Sequence, residues 1–320
     1  MPITTSEVHV DRALSNISIS YAQSADRFIA SKIFPSVNVN NLTNKYHIFT
    51  KDQYLRSEAN LRGSGSPTRG ANFSLSTGSY SCQQYGVHMD LDDYVVANAD
   101  EGLNLAISAT QYITEQLLLK REQVFAAAAF TTSTWTGSTT GGDITPTLWN
   151  TTSSTPIKDV QTQADAIEEK TGRRPTKLVL GSSVMAALKD NEDILDRVKY
   201  SERGIVTEDL LAALFGVKEV VVAGAITNSA LEGATAVYSR VFDAESALLA
   251  YVPDNPGLMV PAAGMMFSFT GVAGSDQFEG LRTLRYRVDT HHSERIEALA
   301  AFDFKVTGAD LGCFFSNCVA

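Results

Sequence analysis

One stretch, from Ala99 to about Phe130, constrains the fold more than any other part of the chain. Leu103, Ala106, Ile107, Thr110, Ile113, Leu117, Val124 and Ala128 recur at three-, four- and seven-residue steps, the spacing of a single helical stripe. Leu118, Leu119 and Phe125 widen that stripe, while Glu115, Lys120, Arg121 and Glu122 form a short charged segment. Asp100 and Glu101 stand where a helix N-terminus favours negative charge. The polar, β-branched run Thr131 to Thr136, followed by Gly137, ends the pattern. At about 1.5 Å per residue this predicts a rod of roughly 45 Å, about three times the usual globular helix. Such a rod is a spine on which other parts are laid.

What precedes the spine lacks a core of its own. In residues 1–44, Val8, Val10, Ile17, Ile19, Ile29 and Ile33 are scattered among Ser, Asn, Asp and Gln. A short helix is predicted around Tyr21 to Ile29, broken by Ile33-Phe34-Pro35, because a residue before proline is pushed out of the helical region. The segment reads as an extended arm. Residues 45–85 read as a ribbon: Tyr46, Ile48 and Thr50 alternate with polar neighbours, as do Phe73, Leu75 and Thr77. Gly63-Ser64-Gly65-Ser66-Pro67 and Gly70 make a flexible tip between them. A two-stranded ribbon of this kind is marginal alone and needs a surface to lie on. It carries Lys45, Lys51, Arg56, Arg62 and Arg69 against Asp52 and Glu58, whereas the entry to the spine carries Asp90, Asp92, Asp93, Asp100 and Glu101. These opposite charges pair within a subunit, pair between neighbours, or simply face solvent.

After the spine, Thr131 to Thr155 is a Thr/Ser/Gly-rich connector holding Trp135 and Trp149. Pro156 then opens a helix, Ile157 to Lys170, that Gly172 ends. A short buried strand follows at Lys177 to Leu180, and Ser182 or Ser183 caps a helix reaching about Leu188. A helix from Thr207 to Phe215 and strands at Glu219–Ala223, Ala236–Phe242 and Ser246–Val252 complete an α+β unit. Three further apolar alternations follow, at Met265–Phe269, Leu284–Val288 and Phe302–Val306, each offering a face for the spine to cover. The expected division is 1–44 arm, 45–85 ribbon, 86–155 with 270–320 as one discontinuous domain, and 156–269 as an inserted α+β domain.

Candidate chemistry is sparse. A formal charge of −10 argues against a chain-wide electrostatic grip on nucleic acid. No apolar run approaches the roughly 20 residues that cross a bilayer, and Met1-Pro2-Ile3-Thr4 does not open a secretory signal. Cys82, Cys313 and Cys318 form no disulfide framework and read as reduced cytoplasmic thiols. His291-His292 with Glu294 sit at a turn, where adjacent side chains point apart, so they are a poor metal set. Cys313 and Cys318 lack a second pair at zinc-ligand spacing. Gly181-Ser182-Ser183, between a strand and a helix, is either an anion cradle or an ordinary cap. Nothing assembles a nucleophile, a base and an orienting group. The expectation is a non-enzyme with no cofactor and no metal.

The order of parts, together with several local pieces, resembles the major capsid proteins of tailed bacteriophages. Those pieces are Thr171-Gly172-Arg173-Arg174-Pro175-Thr176-Lys177-Leu178-Val179-Leu180-Gly181, Gly216-Val217-Lys218-Glu219-Val220-Val221-Val222, and the closing Glu294-Arg295-Ile296 to Phe304-Lys305-Val306. The resemblance implies an α+β capsid fold with N-terminal arm, extended β-hairpin loop, peripheral domain built on the spine helix and inserted axial domain. It also implies a self-assembling subunit of pentamers and hexamers in an icosahedral shell around double-stranded DNA, located in the virion and assembled in the bacterial cytoplasm. Arm and ribbon would reach over neighbouring copies, with Arg56, Arg62, Arg69, Asp90, Asp92 and Asp93 as candidate intersubunit contacts. The arm begins within about 45 residues of the ribbon, so any scaffold is expected to be a separate protein. A portal and a decoration protein are further expected partners, and a membrane is not. The family's Lys–Asn cross-link has no identifiable Asn partner here. The competing expectations are an encapsulin-type compartment and, from another class, an anion-binding enzyme using Ser182 and Ser183.

Overall fold

A computed structural model describes residues 23, 27–49, 51, 55–72, 74–99, 104–198, 206–231, 233–257, 260–272 and 280–320. Its helices are α1 (Ala30–Ile33), α2 (Asp93–Ala97), α3 (Leu105–Ala129), α4 (Pro156–Thr171), α5 (Ser182–Asp190), α6 (Glu192–Val198) and α7 (Glu208–Phe215). Strands β1 (Ser36–Val39), β2 (Thr43–Phe49), β3 (Leu75–Ser81), β4 (Gln83–Asp92), β5 (Lys177–Leu180), β6 (Glu219–Val222) and β7 (Ile226–Asn228) come first. They are followed by β8 (Tyr238–Arg240), β9 (Ala247–Ala250), β10 (Gly264–Phe269), β11 (Arg282–Val288), β12 (Ser293–Val306) and β13 (Gly312–Phe315).

The spine is α3, shorter at its start than the periodicity predicts. Ala99 lies in a bend, and Asp100, Glu101 and Leu103 fall outside the described residues. The helix opens where Asn104 caps it, its side-chain oxygen accepting from Ile107 N–H at 3.2 Å. Its buried face is Ala109, Ile113, Leu117, Arg121, Phe125 and Ala129, a strict four-residue ladder, with Glu122 beside it. Ile107, placed on the predicted stripe, is instead 56% exposed. Arg121 and Glu122, part of the short charged segment, are buried. The cause lies in what α3 covers: a five-stranded sheet in which β12 pairs with β4, β10 and β11, and β1 extends it beyond β10. A ladder of that pitch follows the twisted sheet, and apolar spacing alone does not reveal which ladder wins.

The arm contributes to this core. Phe28, Ile29, Ala30, Ile33, Phe34, Val37 and Val39 are all buried. β1 pairs in parallel with β10, Ser36 to Val39 lying beside Met266 to Phe269. The Phe34 ring meets those of Phe125 at 5.1 Å and Phe304 at 6.2 Å. A Cβ on Gly264 would lie 2.1 Å from the Phe34 ring, so glycine is what lets the arm close onto β10. The predicted helix at Tyr21–Ile29 lies largely outside the described residues; the helical turn present is α1, which stops at Ile33 before Phe34-Pro35.

The second sheet runs β13-β9-β5-β6 and carries α4, α5 and α7 around its own core. β13 pairs antiparallel with β9, and Ile144 bridges Phe315. Trp149, Phe315, Cys313 and Cys318 pack together in the second core. The connector is likewise structural: Trp149 Nε1–H donates to Asp159 at 3.0 Å, and Trp135 Nε1–H to the Ala129 carbonyl at 2.8 Å.

Candidate functional site

The ribbon is the part of the described chain least supported by its own subunit. β2 and β3 pair from Thr43–Ser81 to Phe49–Leu75. Phe73, placed on the returning strand by its alternation, lies outside the described residues. At the root, Tyr80 stacks on Phe267 at 4.6 Å and Tyr46 lies 5.3 Å from the same ring, so the root is anchored. β4 then joins the main sheet from Gln83, which ends the ribbon earlier than residue 85. Beyond the paired strands, almost every residue of 55–72 is exposed, with Leu55 at 61% and Leu61 at 103%. Two exposed leucines on a Gly/Ser/Arg loop are surface that the subunit itself does not cover.

The candidate charged residues form two separate groups. On the ribbon, Arg69 and Arg56 share Glu58 at 3.0 and 3.7 Å, and Arg62 Nε donates to the Ser66 carbonyl. At the spine entry, Asp90 accepts two bonds from Arg295 at 2.6 and 2.7 Å, and Asp93 two from Arg287 at 2.6 and 2.5 Å. Asp92 caps α2, accepting from Tyr94 N–H at 2.7 Å. Hydrogen bonding from Arg295 holds the Asp90 carboxyl below its ordinary value, and that from Arg287 does the same for Asp93. Asp93 and Asp90 are thus engaged by β11 and β12, and among the described residues no ribbon arginine reaches them. Arg287 and Arg295 belong to this group although nothing local to them in the sequence marks them as partners of Asp93 and Asp90. What the sequence does show is the polar half of each alternation, Arg285, Arg287 and Asp289 on one strand, Glu294 and Arg295 on the next.

The residues weighed for other chemistry are differently placed. The N-cap of α5 is Gly181, with no side-chain cap from Ser182 or Ser183. Ser183 and Val184 N–H both donate to the Ala244 carbonyl, at 3.1 and 3.3 Å. A Cβ on Gly181 would lie 2.2 Å from that same oxygen, so the segment at Ala244 sits directly over the helix start. Two of the amides an anion would use, those of Ser183 and Val184, are already taken by the chain itself. Among the described residues no cluster of His, Cys, Asp and Glu is arranged to hold a metal. All three cysteines are buried and unpaired. Burial pushes the Cys82 thiol up to about 11 and Cys313 up to about 12, which makes both poor nucleophiles. No helix among the described residues is long and apolar enough to cross a membrane.

A long helix over a sheet, a second α+β unit closed by the C-terminal strand, and an outreaching ribbon define the shell-subunit fold of tailed-phage capsids. The chain is 26% identical to the major capsid protein of Burkholderia phage BcepMu, over 78% of each chain. It is 23% identical to the major capsid protein of Pseudomonas phage JBD67, over 97% of each. A phage-related protein from Bordetella bronchiseptica RB50 superposes with a TM-score of 0.71 at 22% identity, over 97% of each chain. The holo-SrpI encapsulin from Synechococcus elongatus shares the fold more distantly, with a TM-score of 0.54 at 11% identity over 96% of each chain. No protein-family model matches. By sequence the chain is similar to phage major capsid proteins and by fold to phage capsid subunits, which supports a shell-building subunit.

Proposed function

We infer that this subunit forms the pentamers and hexamers of an icosahedral phage head around double-stranded DNA, assembled in the bacterial host cytoplasm. The observation that carries this reading is the asymmetry of the surface. Three apolar clusters are buried, one of them at the ribbon root, yet residues 55–72 project from that root with their leucines exposed. In this reading the ribbon lies on a neighbouring copy, and Arg56, Arg62 and Arg69 set its register. Asp90 and Asp93 act through the Arg295 and Arg287 they engage, and Asp92 through its cap on α2, shaping the surface presented to a neighbour. Many weak contacts multiplied by symmetry then supply the stability of the shell. A separate scaffolding protein, a portal and a decoration protein are the further partners proposed.

The test is co-expression with a candidate scaffold, followed by electron microscopy. Closed particles tens of nanometres across, able to retain double-stranded DNA, are the expected result. Particles that retain a protein cargo and no DNA would move the assignment to an encapsulin-type compartment. Persistent monomers under every assembly condition would overturn the shell itself.

A further inference from the structure

The β7–β8 hairpin is held to the spine differently from everything else that α3 touches. Its root is packed: Ala223, Ala225 and Phe242 are buried, and the Phe242 ring meets Phe125 at 5.9 Å and Phe130 at 5.5 Å. Its body is not. Each strand is three residues long, paired as Ile226–Arg240, Thr227–Ser239 and Asn228–Tyr238, and every residue of β8 is exposed. Between the body and α3 runs an open groove of about 370 Å³, lined by Gln123, Ala126, Phe130, Thr227, Arg240 and Val241 among others. A two-stranded hairpin this short is marginal without a supporting surface, and apolar packing does not provide one here.

What bridges the gap is polar. Gln123 Nε2 donates to Thr227 Oγ1 at 3.2 Å. On the outer edge of β7, the Gln23 side-chain amide takes the place of a neighbouring strand. Its Nε2 donates to the Ile226 carbonyl at 2.8 Å, and its Oε1 accepts from Ile226 N–H at 3.1 Å. A primary amide has the donor and acceptor of a peptide group, so one glutamine can satisfy both edge positions. The Gln23 backbone N–H is itself held by Glu115 Oε1 of the spine at 2.7 Å. Arg27 adds a bond to the Gly224 carbonyl at 3.2 Å, at the entry to the hairpin. At one residue the arm, the spine and the hairpin are tied together.

We propose that Gln23 is a releasable clamp that seats the β7–β8 hairpin against the spine helix, coupling the hairpin's position to that of the arm. The contacts are few, polar and partly exposed, so they can be broken without opening either core. The exposed apolar residues on the hairpin, Val237 and Tyr238 on or beside β8 and Leu231 in its loop, would move with it. The clamp stands on this geometry alone. Its use in a shell, where displacement of the arm by a neighbour would free the hairpin, rests on the function proposed above.

Hydrogen exchange on the unassembled full-length subunit tests it. Gln23→Ala is expected to speed amide exchange in Ile226–Asn228 and Tyr238–Arg240 by roughly tenfold, the scale of one or two lost hydrogen bonds. Exchange in β5 and β6 should stay at the wild-type rate. Gln23→Glu keeps the acceptor for Ile226 N–H but loses the donor, and should give a smaller increase. Unchanged hairpin exchange in Gln23→Ala would overturn the clamp, as would an equal increase across both sheets. Wild-type failure to form particles would count against the shell and leave the exchange result standing, so the two failures are separable.

Discussion

Residues 28–39 and residues 55–72 both look like chain without a core, yet one is sealed inside the subunit and the other is left outside it. The first holds Ile29, Ile33, Phe34, Val37 and Val39, and its large side chains enter the sheet–helix core. The second spreads Leu55 and Leu61 among Gly, Ser and Arg, and among the described residues neither leucine is covered. The difference teaches how a lattice-forming subunit divides its apolar residues. Those that build the monomer are dense enough to nucleate a local element, while those left for a neighbour are too few to collapse in place.

Truncating the buried arm should have the largest effect. Phe34→Ala removes a ring in edge contact with Phe125 and Trp135 and should cost about 3–5 kcal/mol, a substantial part of a domain's stability. Denaturant unfolding of the isolated subunit measures this; a loss under about 1 kcal/mol would mean the arm is not part of the core. Next comes Glu122, whose Oε1 accepts from the buried Ala30 N–H at 2.9 Å. Glu122→Ala should cost about 1–3 kcal/mol by leaving that donor unmet, and Glu122→Gln, which keeps an acceptor, clearly less. Equal losses in the two variants would show that the carboxylate does not hold the arm.

Acid probes the charged end of the sheet. The native Asp90 carboxyl sits below its ordinary value, so its pairing with Arg295 contributes fully above pH ~4 and is lost as pH falls through the lowered native value. Wild-type protein should therefore lose stability on acidification more steeply than Asp90→Asn, which has no carboxylate there to protonate. Parallel unfolding curves between pH 5 and 2 would refute the assignment.

The legible parts of the fold were those where local chemistry acts alone. Pro156 and Gly172 bound α4, and Gly172 takes the left-handed conformation, φ 68°, that ends a helix. Thr207 caps α7, and Gly216 closes it. What tertiary packing decides was hidden. Nothing in Glu122 announces burial, because its carboxylate meets the Ala30 amide of an arm 92 residues away. Likewise no alternation marks Gly312–Phe315 as a strand, and the place of β13 in the second sheet follows from pairing with β9. At the candidate site, ribbon and acidic entry were both visible, but the arginines that engage Asp90 and Asp93 lie some two hundred residues downstream.

The smallest effect on the monomer should accompany the largest on assembly. Arg56, Arg62 and Arg69 are exposed; Arg56 and Arg69 meet Glu58, and Arg62 meets a backbone carbonyl. Exposed ion pairs of this kind contribute about 0–1 kcal/mol each. Reversing all three to Glu should leave the circular dichroism spectrum unchanged and the unfolding midpoint nearly so. If the ribbon lies on a neighbour, the same change places three negative charges against a surface matched to positive ones, repeated at every copy of the contact. Particle yield by sedimentation should then collapse, with partial recovery at high salt as screening shortens the reach of the repulsion. Normal particles from the reversed protein would show that the ribbon arginines face solvent in the shell. Loss of the folded monomer would show that they serve the subunit itself, and the contrast between the sealed arm and the open ribbon would dissolve.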